Sequence, residues 1–232
     1  SRDETGTSKV TGSTVMSYRK AVDVLTDKSA AEFQLLVIPG QRAFSVTDYA
    51  ITACETRFDA MLIMDIEEKD GSNSYIESST ALPHVGNIIS DFATRALDTS
   101  FAAAYFPDVY LEDPSTKTKL FVPPSVAALG AFGLNDAVAH PWFAPAGFSR
   151  GALRNVEAAS VKLSRQNLDD LYENKINPIT SFPGTGLVIF GQKTLLEAAS
   201  SLDRINVRRI LINVRRAVRN VANSLLFEPN RE

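Results

Sequence analysis

Residues 33–40 read FQLLVIPG. An almost wholly apolar run closed by Pro39-Gly40 is the pattern of a short strand buried on both faces. Residues 58–66, FDAMLIMDI, repeat it. Between the two, Val46, Tyr49, Ala50, Ala53 and Cys54 fall on one side of a helix expected from Ser45 or Thr47 to Thr56. A second amphipathic helix is expected from Val85 to Leu97. A third strand is expected from Phe101 to Leu111 (FAAAYFPDVYL), where Pro107 suggests a bulge or an irregular end. Strand-then-helix units in series specify an α/β fold: a mixed, largely parallel sheet flanked by helices.

Working outward, residues 1–13 (SRDETGTSKVTGS) are polar and lack an apolar period, so they read as a linker or incoming arm. A short helix is expected from Thr14, through Val15, Tyr18, Val22 and Leu25. Glu67–Ser79 and Glu112–Lys119 read as polar surface loops. Ser125 is the candidate N-cap of a small-residue helix running to Leu134. His140–Ala146 (HPWFAPA) reads as a fixed, partly apolar loop. Val161–Leu163 reads as a short strand, and Asn167, Leu168 and Leu171 begin a short helix. Ile176–Phe182 and Gly186–Phe190 read as paired strands around a Pro183-Gly184 turn.

The last long element is an amphipathic helix over Asp203–Phe227, with Asp203 as its candidate N-cap and Pro229 just beyond its end. Val207, Leu211, Val214, Val218, Val221 and Leu225 step by four and three along it, so they form one narrow stripe. Burying those six side chains would contribute roughly 9–18 kcal/mol as an upper estimate, so the stripe is expected to lie against the core. Arg204, Arg208, Arg215 and Arg219 line one flank of the helix, with Arg209 and Arg216 further round.

The chain has 232 residues, of which 44% are hydrophobic and 22% charged, an ordinary composition for one large folded domain. It starts at Ser1 without a methionine and stops at Glu232, and is expected to be a fragment, or part of something longer. The single cysteine, Cys54, rules out an intrachain disulfide. A net charge of −3 argues against general nucleic-acid binding in spite of the basic helix. Charge is unevenly spread. From Asp48 to Glu77 eight acidic residues face two basic ones, whereas the terminal helix carries six arginines against Asp203. That distribution suits copies of one protein meeting head to tail, and suits equally two regions that neutralise each other within one subunit or face solvent.

Gly147-Phe148-Ser149-Arg150-Gly151 matches the nucleophile-elbow spacing, and a serine hydrolase centred on Ser149 is the enzymatic alternative. No central strand precedes it, and both histidines, His84 and His140, lie upstream. Gly186–Thr194 (GLVIFGQKT) resembles a phosphate loop, but Gln192 separates Gly191 from Lys193. Asp65, Glu67, Glu68 and Asp70 could form a carboxylate cluster, although acidic runs of this kind are commonly solvated loops. No catalytic, cofactor or metal site is expected.

Five motifs occur in order: Phe121-Val-Pro-Pro-Ser125, Ala144-Pro-Ala-Gly147, Phe182-Pro-Gly-Thr-Gly186 with Val188-Ile-Phe-Gly191 and Lys193-Thr194, Asn206-Val-Arg-Arg209, and Phe227-Glu-Pro-Asn230. Together they closely resemble the core of tail sheath proteins from contractile-tailed bacteriophages, with relatives in contractile injection machines and bacteriocin particles. Phe190 stands where that family often has tryptophan, and Lys193 where arginine is common.

The resemblance implies a core domain over 14–230, with an N-terminal half (14–111) and a sheath C-terminal half (121–230). It implies that the N- and C-terminal connector arms, which exchange strands between neighbours, are absent, so that the fragment alone could be monomeric. It implies a non-enzymatic structural subunit without cofactor, forming a helical homo-oligomer of stacked six-fold rings around a tail tube. Baseplate and tail terminator proteins are the further partners, with no membrane insertion and no specific nucleic acid. The location is the virion tail, after assembly in the host cytoplasm. For subunit or tube contact the expected residues are Arg204, Arg208, Arg215 and Arg219, against Glu67, Glu68 and Asp70.

Overall fold

The computed structural model describes residues 12–66, 82–113, 115–154 and 156–226. Its centre is a five-stranded sheet. Strands β1 (Leu35–Val37), β2 (Met61–Asp65) and β3 (Ala102–Phe106) run parallel, and β3 pairs parallel with β7 (Ile176–Phe182). The edge strand β8 (Gly186–Ile189) turns back antiparallel to β7 around Pro183-Gly184. The order β1-β2-β3-β7-β8 joins the two halves of the chain in one sheet.

Both faces of this sheet are covered, which is why its strands read as continuous apolar runs. Leu62, Met64, Ala102, Ala104 and Ile176 face one core with Val22 of α1 (Ser13–Thr26), Ala50, Ile51 and Cys54 of α2 (Phe44–Arg57), and Leu171 of α6 (Arg165–Glu173). Val85, Ile88 and Ile89 of α3 (Leu82–Ala93) pack there too. The alternate residues Met61, Ile63, Ala103 and Tyr105 face a second core with Ala127, Ala128, Ala131 and Phe132 of α4 (Pro124–Val138). Ile205 and Ile212 of α7 (Ile205–Ser224) complete it. The alanines of β3 leave room for layers on both sides.

Several elements differ from expectation. The run 101–111 is two strands, not one. It breaks at Pro107, and β4 (Val109–Glu112) leaves for a second, three-stranded sheet with β5 (Lys119–Val122) and β6 (Val156–Ala159) in the order β5-β4-β6. Strand β5 falls partly in the stretch read as a loop, because its exposed edge carries no clear alternation. The short strand lies at Val156–Ala159 rather than Val161–Leu163. Pro123 is the N-cap of α4, with no side-chain cap bond, and Ser125 sits within the helix. Arg204, not Asp203, is the N-cap of α7. Among the described residues, no helix is long and apolar enough to cross a membrane.

The stretch weighed as a phosphate loop is built for packing. Asn177 of β7 is fully buried. Its Nδ2 donates to the carbonyls of Ala104 (3.0 Å) and Lys193 (2.8 Å), and its Oδ1 accepts from the Lys193 amide at 2.7 Å. A Cβ on Gly191 would stand 2.8 Å from that Oδ1 and 3.1 Å from the Asn177 Cα. Gly191→Ala is therefore expected to destabilise by roughly 1–3 kcal/mol through overpacking. Urea unfolding followed by circular dichroism checks this; an unchanged midpoint would contradict it.

Candidate functional site

Helix α7 is amphipathic, but the face it buries is not the apolar stripe. Leu211, Val214, Val218, Val221 and Leu225 are 45%, 50%, 60%, 62% and 63% exposed. The buried residues are Ile205, Arg208, Arg209 and Ile212. Counting on from these, Arg216 and Arg219 continue the same helical face. Of the stripe expected against the core, Val207 is half-buried and the other five residues point away from it, while much of the flank expected outside reaches inward.

Each arginine has an identifiable environment. Arg208 is buried; its Nη2 donates to Ser100 Oγ and its guanidinium lies 4.0 Å from the centre of the Phe101 ring. Desolvation pulls its pKa below the ordinary arginine value. Arg209 forks onto Asp136 with bonds of 2.8 and 2.6 Å, over the Phe132 ring. Arg216 pairs with Glu32 at 2.6 Å. Arg219 donates to Asp59 at 2.5 Å, and the other oxygen of Asp59 accepts from Arg57 at 2.7 Å. Arg204 donates to Tyr172 Oη at 2.5 Å and lies 3.2 Å from Asp203. It borders a cleft of about 370 Å³ with Leu168, Phe190 and Gln192.

Arg215 differs. It is exposed, rests 4.9 Å from the centre of the Phe58 ring, and has no carboxylate partner among the described residues. Of the four flank arginines named for subunit or tube contact, Arg208 and Arg219 are thus engaged inside the chain. Glu67, Glu68 and Asp70 lie outside the described residues. The internal acids that take up the arginines include Asp59, a member of the acidic stretch noted in the sequence.

The cluster weighed around Asp65 is not a solvated loop at that residue. Asp65 is 1% exposed. Its Oδ2 accepts from the Gly40 amide (3.0 Å) and Ser125 Oγ (2.8 Å), and its Oδ1 from the Ser125 amide (2.7 Å). A carboxylate at the start of a helix is favoured by the unpaired amides there. The pattern could not be read along the chain, because Ser125 lies 60 residues away.

Ser149 is exposed on the short helix α5 (Gly147–Arg150), and none of the hydrogen bonds among the described residues joins it to a histidine. His140 stacks on Trp142 with ring centres 4.6 Å apart. Burial pushes the Cys54 thiol up to about 12, so it stays protonated and inert near neutral pH. Among the described residues no group of three His, Cys, Asp or Glu side chains is placed to hold a metal ion.

No family model matches the chain. It is 39% identical over 123 residues to the tail sheath protein of Vibrio phage KVP40, an alignment taking in 53% of this chain and 18% of that protein. It is 31% identical over 134 residues to the tail sheath protein of Enterobacteria phage T4, taking in 58% of this chain and 20% of that one. The chain spans about a fifth of the length of these curated relatives. The sheath complex of the extracellular contractile injection system PVC, solved in its contracted state, matches 94% of this chain and 58% of its own, with TM-score 0.66 and 19% identity. The α/β fold is thus that of contractile sheaths. The chain is a sequence relative of phage tail sheath proteins.

Proposed function

We propose that this chain is the core of a structural subunit of a contractile phage tail sheath. Its copies polymerise as stacked six-fold rings around a tail tube and contract to drive the tube through the host envelope. The observation that carries this reading is the pairing of 39% identity to a phage tail sheath protein with a sheath fold over 94% of the chain. The subunit is non-enzymatic, part of the virion tail and assembled in the host cytoplasm, with tube, baseplate and terminator proteins as partners. Of the arginines named for contact, Arg215 is the one placed outward without an acid among the described residues, and subunit or tube contact is assigned to it, with Arg204 beside the cleft of Leu168, Phe190 and Gln192. The fold is shared with a non-phage injection system, so a sheath of that kind, or of a bacteriocin, is the second reading.

The full-length gene product, alone and with its tail tube protein, is expected to form rings or tubes in negative-stain electron microscopy. Arg215→Glu is expected to impair that assembly while circular dichroism and urea midpoint stay as in the parent. A product that stays monomeric even with the tube supplied would overturn the sheath reading. Normal tubes from the charge-reversed protein would overturn the assignment of Arg215 alone.

A further inference from the structure

Helix α7 is held to the rest of the chain in two different ways. Up to Ile212 it is anchored in a core: Ile205 and Ile212 are buried there, and Arg208 and Arg209 are buried against the Phe101 and Phe132 rings. Beyond Ile212 no described residue of the helix is buried. Val214, Ala217, Val218, Val221 and Ala222 are all exposed, so apolar burial does little to fix this half to the body. What holds it is polar. Gln34 Nε2 donates to Asn213 Oδ1 at 3.0 Å, Arg215 rests on the Phe58 ring, Arg216 pairs with Glu32 at 2.6 Å, and Arg219 pairs with Asp59 at 2.5 Å. Both paired arginines and Glu32 stay partly in solvent, where such pairs are individually weak and are screened by salt.

The body beneath is complete without this half. Asp59 keeps its bond from Arg57, at 2.7 Å, when Arg219 leaves. Glu32 is exposed and takes up water in place of Arg216. Phe58 stays packed edge-on against Phe101, with ring centres 5.2 Å apart. The half itself is rich in valine and asparagine, which are weak helix formers. Detachment and unwinding therefore go together.

We propose that residues 213–226 form a charge-held strap, which opens from the body as one unit on a hinge after Ile212 while the rest of the fold stays native. Opening uncovers Glu32, Asp59 and Phe58 and frees Arg215, Arg216 and Arg219 together, so the same arginines become available to acids outside the chain. The strap rests on the contacts of α7 and not on the sheath reading.

Amide hydrogen exchange of the 232-residue protein, followed by NMR, tests this. The amides of 217–224 bond to carbonyls within the strap. They are expected to exchange at least about a hundredfold faster than those of β2. Raising sodium chloride to about 0.5 M is expected to speed them about tenfold more, with β2 unchanged. Arg216→Gln combined with Arg219→Gln is expected to give a similar acceleration at low salt, again confined to the strap, and to leave the urea midpoint at the parental value. Ile212→Ala, on the core side of the hinge, is expected to lower that midpoint. Exchange of 217–224 at the β2 rate, or an acceleration in the double variant that spreads to β2, would overturn the proposal, because α7 would then unfold only with the core. Exchange at the random-coil rate in the parent would overturn it as well, since nothing would then hold the strap. So would protection that neither salt nor the double variant changes, since charge would not be what holds the segment.

Discussion

Asp59→Ala is expected to cost roughly 3–5 kcal/mol of folding stability, the range for removing one partner of a buried ion pair. Asp59 is 5% exposed and Arg57 2%, so truncation leaves a buried guanidinium without its carboxylate. It also releases Arg219 and with it a tie between α7 and the start of β2, 160 residues apart in sequence. Arg57 additionally donates to the carbonyls of Leu25 and Ala31 and lies over the Phe33 ring, so the loss spreads to α1 and the segment leading into β1. For a chain of this size the melting temperature should fall by roughly 6–20 °C. Urea unfolding and thermal melts check this, and a loss below about 1 kcal/mol would mean that the pairs behave as surface bridges.

The same residue predicts a pH response. Burial opposes ionisation of Asp59, but the bonds from Arg219 and Arg57 outweigh it, and its pKa lies below the ordinary value of 3.8. A group depressed in the folded state contributes stability that is complete above its unfolded pKa and is lost as pH falls through the folded one. Stability should therefore decline below about pH 4, and Asp59→Asn should flatten that part of the profile relative to the parent.

Asp65→Ala is the second large effect. Its carboxylate is the acceptor for three donors, the amides of Gly40 and Ser125 and the Ser125 hydroxyl. Each buried donor left without an acceptor costs about 1–3 kcal/mol. Allowing for relaxation of the two loops, the loss should reach roughly 3–5 kcal/mol. Asp65→Asn keeps one acceptor oxygen and should fall between the parent and the alanine variant. If Asp65→Ala unfolds at the parental urea concentration, the clamp between β2, the Gly40 turn and α4 contributes little.

The buried strands were legible because a strand covered on both faces must be apolar at every position. The turn at Pro183-Gly184, the α/β order and the ordered motifs of the C-terminal half were legible for equally local reasons. The break at Pro107 was visible only as an irregularity. That β4 would leave for another sheet depends on pairing with β5 and β6, which no local pattern encodes. The contact residues were the least legible, since a side chain's partner is a neighbour in space.

Helix α7 marks the boundary most clearly. Its sequence by itself determined a helix with two opposed faces, one of valine and leucine, one of arginine and isoleucine. Which face turns inward was decided only by the tertiary structure. Arginine stems can lie along an apolar surface while their guanidinium groups reach acids at its edge. Here Asp59, Asp136 and Glu32 stand where those groups arrive. Hydrophobic periodicity records that a helix has a face, but the placement of those three carboxylates, set by other elements of the fold, selects the face that is buried.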